Sequence, residues 1–104
     1  MVNVYKELLN SYVAGSLSAH GLGEACRKVY QQDLSSIESK TQGQVLVRGA
    51  VQLIEYGVFS LPISMDFPDG TTKEYTGADI AVAKVAMATD VSDNLETYYP
   101  AITS

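Results

Sequence analysis

The chain has no tryptophan, one cysteine and one histidine, and these shortages exclude several classes of protein. Because Cys26 is the sole cysteine, an internal disulfide framework is impossible. Basic residues are also scarce: Lys and Arg number 7 against 12 Asp and Glu, for a net charge of -5. Proteins bind nucleic acid by neutralising its phosphates with Lys and Arg, so we expect no nucleic-acid partner.

Long hydrophobic runs are also missing. The most apolar stretch, residues 45–58, is interrupted by Arg48, Gln52 and Glu55. It falls short of the roughly 20 residues that a membrane span requires. The chain does not open on a basic segment followed by an apolar run and a cleavage site, as a secretory signal does. We therefore expect no membrane span and a cytoplasmic location, where the thiol stays reduced.

The chain does contain enough apolar residues for a core. Leu, Ile, Val and Phe make up 27 of the 104 residues, above the share of roughly 20% below which chains tend to be disordered. The length suits one ordinary domain, and no linker or internal repeat divides it. The prediction is a single domain, 1–104, with residues 90–104 as a C-terminal tail.

Apolar residues in the first half recur with helical spacing. Pairs four residues apart, starting at Val4 and Tyr5, predict a first helix ending between residues 14 and 19, and a second helix is predicted around Leu22 to Tyr30.

Residues 44–58 allow two interpretations. Their apolar residues share one helical face, which favours a helix, whereas a short β-branched run between glycines allows a strand.

The clearest strand pattern lies between Phe59 and Phe67, where apolar and polar residues alternate. The alternation directs Met65 to the core, and Pro62 places the strand at a sheet edge because proline has no N–H to donate. Residues 68–70, Pro-Asp-Gly, favour a turn. The prediction is a β-hairpin over about 59–75, whose exposed edge can add to a sheet in a neighbouring chain.

An Ala-rich helix is predicted over about 77–89, with Thr76 and Asp79 at capping spacing. It is apolar on nearly every side, which indicates burial on several sides. The predicted fold class is therefore α+β: a small single domain in which N-terminal helices pack with the hairpin and this helix.

Candidate catalytic and metal-binding patterns are weak. His20 and Cys26 could form a nucleophile pair only if the fold brought them together, and Cys26 lies on an apolar helical stripe. The glycines at 21 and 23 lack the preceding strand of a dinucleotide site. The aspartates near Asp69 and Asp93 lack the alternating ligands of a calcium loop. We predict no catalytic residue, cofactor or metal, and no enzyme.

The C-terminal third supplies the candidate interaction residues. It carries all of the net charge, because the five acids and five bases of residues 1–65 cancel. Four apolar or aromatic residues punctuate the polar tail and are predicted to contact a partner: Leu95, Tyr98, Tyr99 and Ile102.

These features predict a non-enzymatic structural or assembly subunit that acts through protein–protein contacts and self-associates as a homo-oligomer. The alternative is a small acidic binding protein, or an inhibitor, of a basic partner. A compact acidic chain without motifs also suits an accessory protein of a virus or a mobile element.

Overall fold

The computed structural model describes residues 2–32, 42–56, 61–77 and 79–98. They form four α-helices and one two-stranded antiparallel sheet, which confirms the predicted α+β class. The elements in chain order are α1 (Val2–Val13), α2 (Ala19–Gln32), α3 (Gln42–Tyr56), β1 (Ile63–Asp66), β2 (Thr72–Tyr75) and α4 (Ile80–Tyr98).

The two N-terminal helices lie close to their predicted positions. Helix α1 ends at Val13, just before the predicted range, and α2 is longer than predicted at both ends. Ser18 starts α2, because its Oγ accepts a hydrogen bond from Gly21 N at 3.0 Å. Residues 42–56 form helix α3, so the helical interpretation of this ambiguous segment is confirmed.

The hairpin has the predicted facing. Along β1, Ile63 and Met65 are buried while Ser64 and Asp66 are exposed, and Met65 pairs with Lys73 of β2. Gly70 adopts a φ of 92°, the left-handed conformation that ends a three-residue hairpin loop. The first residues of the predicted strand, 59–60, lie outside the described residues.

Helix α4 corrects the predicted tail. The helix was expected to end near residue 89, but it continues to Tyr98. Met87, Val91 and Leu95 recur every four residues and are buried, so the apolar face runs past the polar residues that suggested a tail. Asp79, rather than Thr76, caps the helix: its Oδ1 accepts a hydrogen bond from Ala81 N at 2.8 Å.

Helix α4 is the central element of the core. It packs against α1, α3 and β2. Lys6 pairs with Glu96 at 3.1 Å, and the Ser92 hydroxyl donates to Asn10 Oδ1 at 2.9 Å, so α1 and α4 run antiparallel. The largest fully buried apolar side chains are Tyr5, Leu9, Leu22, Ile54, Ile63, Met87 and Leu95. Among the described helices, none combines the length and apolar character needed to cross a membrane.

Candidate interaction surface

The predicted contact residues do not form one surface among the described residues. Leu95 is 0% exposed and belongs to the core, so it is not available to a partner on the surface of a single chain. Tyr98 is the last residue of α4. Tyr99 and Ile102 lie outside the described residues.

His20 and Cys26 point to different surroundings. Cys26 is fully buried in the core, and burial raises the pKa of its thiol to about 11. The His20 side chain is 73% exposed, and its ring nitrogens lie 3.1 Å from Glu24 Oε1 and 3.3 Å from Glu55 Oε2. A buried protonated thiol is a poor nucleophile, so this arrangement does not favour catalysis by the pair.

Glu55 of α3 forms the polar contact between α3 and α2. Its side chain is only 5% exposed and accepts two hydrogen bonds from the Arg27 guanidinium, at 2.6 and 3.1 Å. These hydrogen bonds hold the pKa of the Glu55 carboxyl below its ordinary value. The carboxylate lies against Gly23, where a Cβ would overlap it. We call this contact the α2–α3 seam: His20, Gly23, Arg27 and Glu55.

A cleft of about 220 Å³ lies beside this seam. Arg48 stacks on the Tyr30 ring, with its guanidinium carbon 4.1 Å from the ring centroid. The Tyr30 hydroxyl is buried and makes no hydrogen bond of ordinary geometry. Desolvation raises the pKa of Tyr30, and the nearby Cys26 thiol has a smaller effect on that pKa. Arg27 and Arg48 line the cleft together with Glu55, so the cleft does not strongly favour a ligand of either charge.

The acidic groups of the C-terminal third are partly neutralised within the chain. Asp90 lies 2.7 Å from Lys73 Nζ and accepts a hydrogen bond from the Tyr75 hydroxyl at 2.8 Å. Glu96 pairs with Lys6, as described above. In the described ranges, no group of three or more His, Cys, Asp and Glu is arranged to hold a metal ion.

An open apolar groove of about 380 Å³ lies between α3 and β1. We call it the α3–β1 groove. Its helical wall includes Val45, which is 53% exposed, and the half-buried Leu53. Gly49 has no side chain to fill the space: a Cβ there would have Met65 Cε at 3.7 Å. The lining residues are Val45, Leu46, Gly49, Leu53, Ser64, Met65, Asp66, Phe67 and Pro68.

The backbone of β1 borders this groove with an edge that no described strand covers. Phe67 N donates to Thr71 O at 2.8 Å, which makes this a hydrogen-bonded pair. Hydrogen-bonded and non-hydrogen-bonded pairs alternate along an antiparallel ladder, so Met65 also bonds to β2. The N–H and C=O groups of Ser64 and Asp66 therefore point away from β2, toward the open edge.

Sequence reasoning predicted the open strand edge but missed the groove. Pro62 and the alternation of β1 indicated the edge directly. The groove depends on how far α3 lies from β1, and nothing in the local sequence sets that distance. Comparisons with protein-family models, with curated proteins and with solved structures found no match.

Proposed function

We propose that this protein is a non-enzymatic assembly subunit that associates with itself through the α3–β1 groove. The observation that supports this most directly is the combination of an open apolar groove with an adjoining strand edge that no described strand covers. Exposed apolar surface of this kind favours protein contacts, because burying it removes it from water.

The two parts of the surface support association in different ways. Val45 and Leu53 supply apolar area, at about 25 cal/mol for each Å² removed from water. The outward backbone groups of Ser64 and Asp66 supply directional hydrogen bonds, which fix how a partner strand must lie. Together they favour a defined protein contact over nonspecific adhesion.

The oligomeric state of two glutamate variants tests this proposal. Val45 and Val82 are both exposed valines on helices, at 53% and 65% exposure, but only Val45 lines the groove. We expect the full chain to be an oligomer at micromolar concentration by analytical ultracentrifugation. Val45→Glu should weaken association at least tenfold, whereas Val82→Glu should leave it unchanged.

A chain ending at Tyr98 tests whether Tyr99 and Ile102, rather than the groove, make the contact between copies. This end point leaves Leu95 in the core, whereas a deletion from residue 94 would remove it and unfold α4. Loss of association in this variant together with normal association of Val45→Glu would place the contact outside the groove. A full chain that is monomeric at micromolar concentration would contradict self-association, and salt-sensitive binding to a basic protein would then favour the acidic-binder alternative.

A further inference from the structure

We infer that two copies of the chain pair through β1, antiparallel, with Ser64 of each copy opposite Asp66 of the other. This inference rests on the proposed self-association and adds its geometry. Pairing along this edge would make one four-stranded sheet from two hairpins, around a two-fold axis that passes between the two Met65 residues.

The alternation of backbone groups limits the possible registers. Only Ser64 and Asp66, and Pro62 before them, direct their backbone toward the open edge of β1. A register that sets Ser64 opposite Met65 of the other copy would match outward groups with inward ones and form no ladder. The pairing must therefore set outward residues opposite outward residues.

Proline and charge select one register among those that remain. Setting Ser64 opposite Ser64 places Asp66 opposite Pro62, which has no N–H to donate. Setting Asp66 opposite Asp66 brings two like charges face to face, which is unfavourable across a strand pair. It also places Ser64 opposite Pro68, where a donor is again missing.

The register with Ser64 opposite Asp66 satisfies both residues. Each exchanges its two backbone hydrogen bonds with its partner, and the two-fold repeats the exchange. Pro62 then lies opposite Pro68, so the residues without donors meet beyond the ladder. The Ser64 hydroxyl faces a carboxylate that already accepts from Thr72 Oγ1 at 2.7 Å, and a carboxylate has acceptor sites to spare.

A second copy of the chain would cover the strand edge and the groove together. Adjacent antiparallel strands related by this axis keep their buried faces on the same side of the sheet. Both α3 helices then lie on that side, and the two grooves face each other across the axis. The exposed Val45 of each copy is thereby directed at the apolar lining of a groove. A single extended peptide would pair with the edge but would bring no second α3.

Cysteine cross-linking with two variants tests this register. Directly opposed residues of a hydrogen-bonded pair have Cα atoms about 5.5 Å apart, within disulfide range, whereas diagonal neighbours lie about 7–8 Å apart. We expect no cross-link from Ser64→Cys alone or from Asp66→Cys alone under mild oxidation. An equal mixture should cross-link up to about half of the chains, the share expected in mixed dimers of random pairing. The parent chain, with its buried Cys26, is the control and should give no cross-link.

The other outcomes separate this inference from the proposed function. Cross-linking of Ser64→Cys alone, or of Asp66→Cys alone, would overturn the register while the dimer remains. Absence of any cross-link in a chain that sedimentation shows to be a dimer would exclude the β1 edge as the interface and leave self-association standing. A monomeric parent chain would overturn both.

Discussion

Helix α3 has two faces with opposite properties. The buried side is closed: Ile54 is fully buried, and next to it the Glu55 carboxylate is bound by Arg27 of α2 and rests against Gly23. The face toward β1 is open, with Val45 and Leu53 lining a groove. The closed face makes the contacts that stabilise the fold. The open face is therefore available for contact with a partner chain.

The largest expected difference between the faces is in the free energy of unfolding. Ile54→Ala should reduce it by about 2–5 kcal/mol, because the substitution leaves a cavity in packed surroundings. Leu53→Ala should cost clearly less, about 1 kcal/mol, because its side chain borders space that is already open. Urea denaturation at protein concentrations too low for association measures both. Equal costs would show that the surroundings of Leu53 are packed as tightly as those of Ile54.

A smaller effect is expected at alkaline pH on the closed side. Burial raises the pKa of Cys26 to about 11 from an ordinary value of 9.0. The unfolded chain therefore loses this proton at lower pH than the folded chain, and stability falls as pH rises from 9 to 11. The contribution of Cys26 should be on the order of 2 kcal/mol at pH 11. Burial also raises the pKa of Tyr30 and of Tyr75, which adds to the loss above pH 10.

Thermal unfolding between pH 8 and 11 measures this slope. The Cys26→Ala variant is the control, since it should be less stable at pH 8 but should lose less stability as the pH rises. A slope that is the same in the variant and in the parent would contradict the assignment to the buried thiol.

The smallest expected effects come from adding one methyl group to each face. Gly49→Ala should stabilise the chain by about 0.5–1 kcal/mol, because alanine favours helix and the new Cβ makes only ordinary contact with Met65. Gly23→Ala should give no such gain, because its Cβ displaces the Glu55 carboxylate. In a Glu55→Ala background the gain at residue 23 should reappear.

A double-mutant cycle over Gly23 and Glu55, followed by urea denaturation, measures this coupling. Gly49→Ala with and without Glu55→Ala is the matched comparison, and there the two effects should add. If Gly23→Ala stabilises the parent chain as much as Gly49→Ala does, the carboxylate does not occupy the space above Gly23.

The sequence was informative where the pattern was local. The facing of Met65 and Ser64 follows from strict alternation, and the hairpin loop follows from its Pro-Asp-Gly run. The end of α4 was mispredicted because Ser92, Asp93 and Asn94 resemble a loop in composition. Two of these face solvent, and the buried Ser92 hydroxyl donates to Asn10, far away in the sequence.

The two surfaces of α3 were less predictable because they depend on contacts between distant elements. Nothing near Glu55 in the sequence indicates that its partner Arg27 lies 28 residues earlier. The groove is the space that remains once α3 and β2 have packed against α4. Local periodicity predicts each element but not the width of the gap between two of them.

The antiparallel contact between α1 and α4 has a consequence for the order of folding. Lys6 meets Glu96 and Asn10 meets Ser92, so α1 packs against a helix that is synthesised 82 to 90 residues later. Synthesis at about 5–20 residues per second separates the two by several seconds. During that interval α1 lacks its contacts with α4. The face of α1 that packs against α4 therefore stays exposed until α4 has been synthesised.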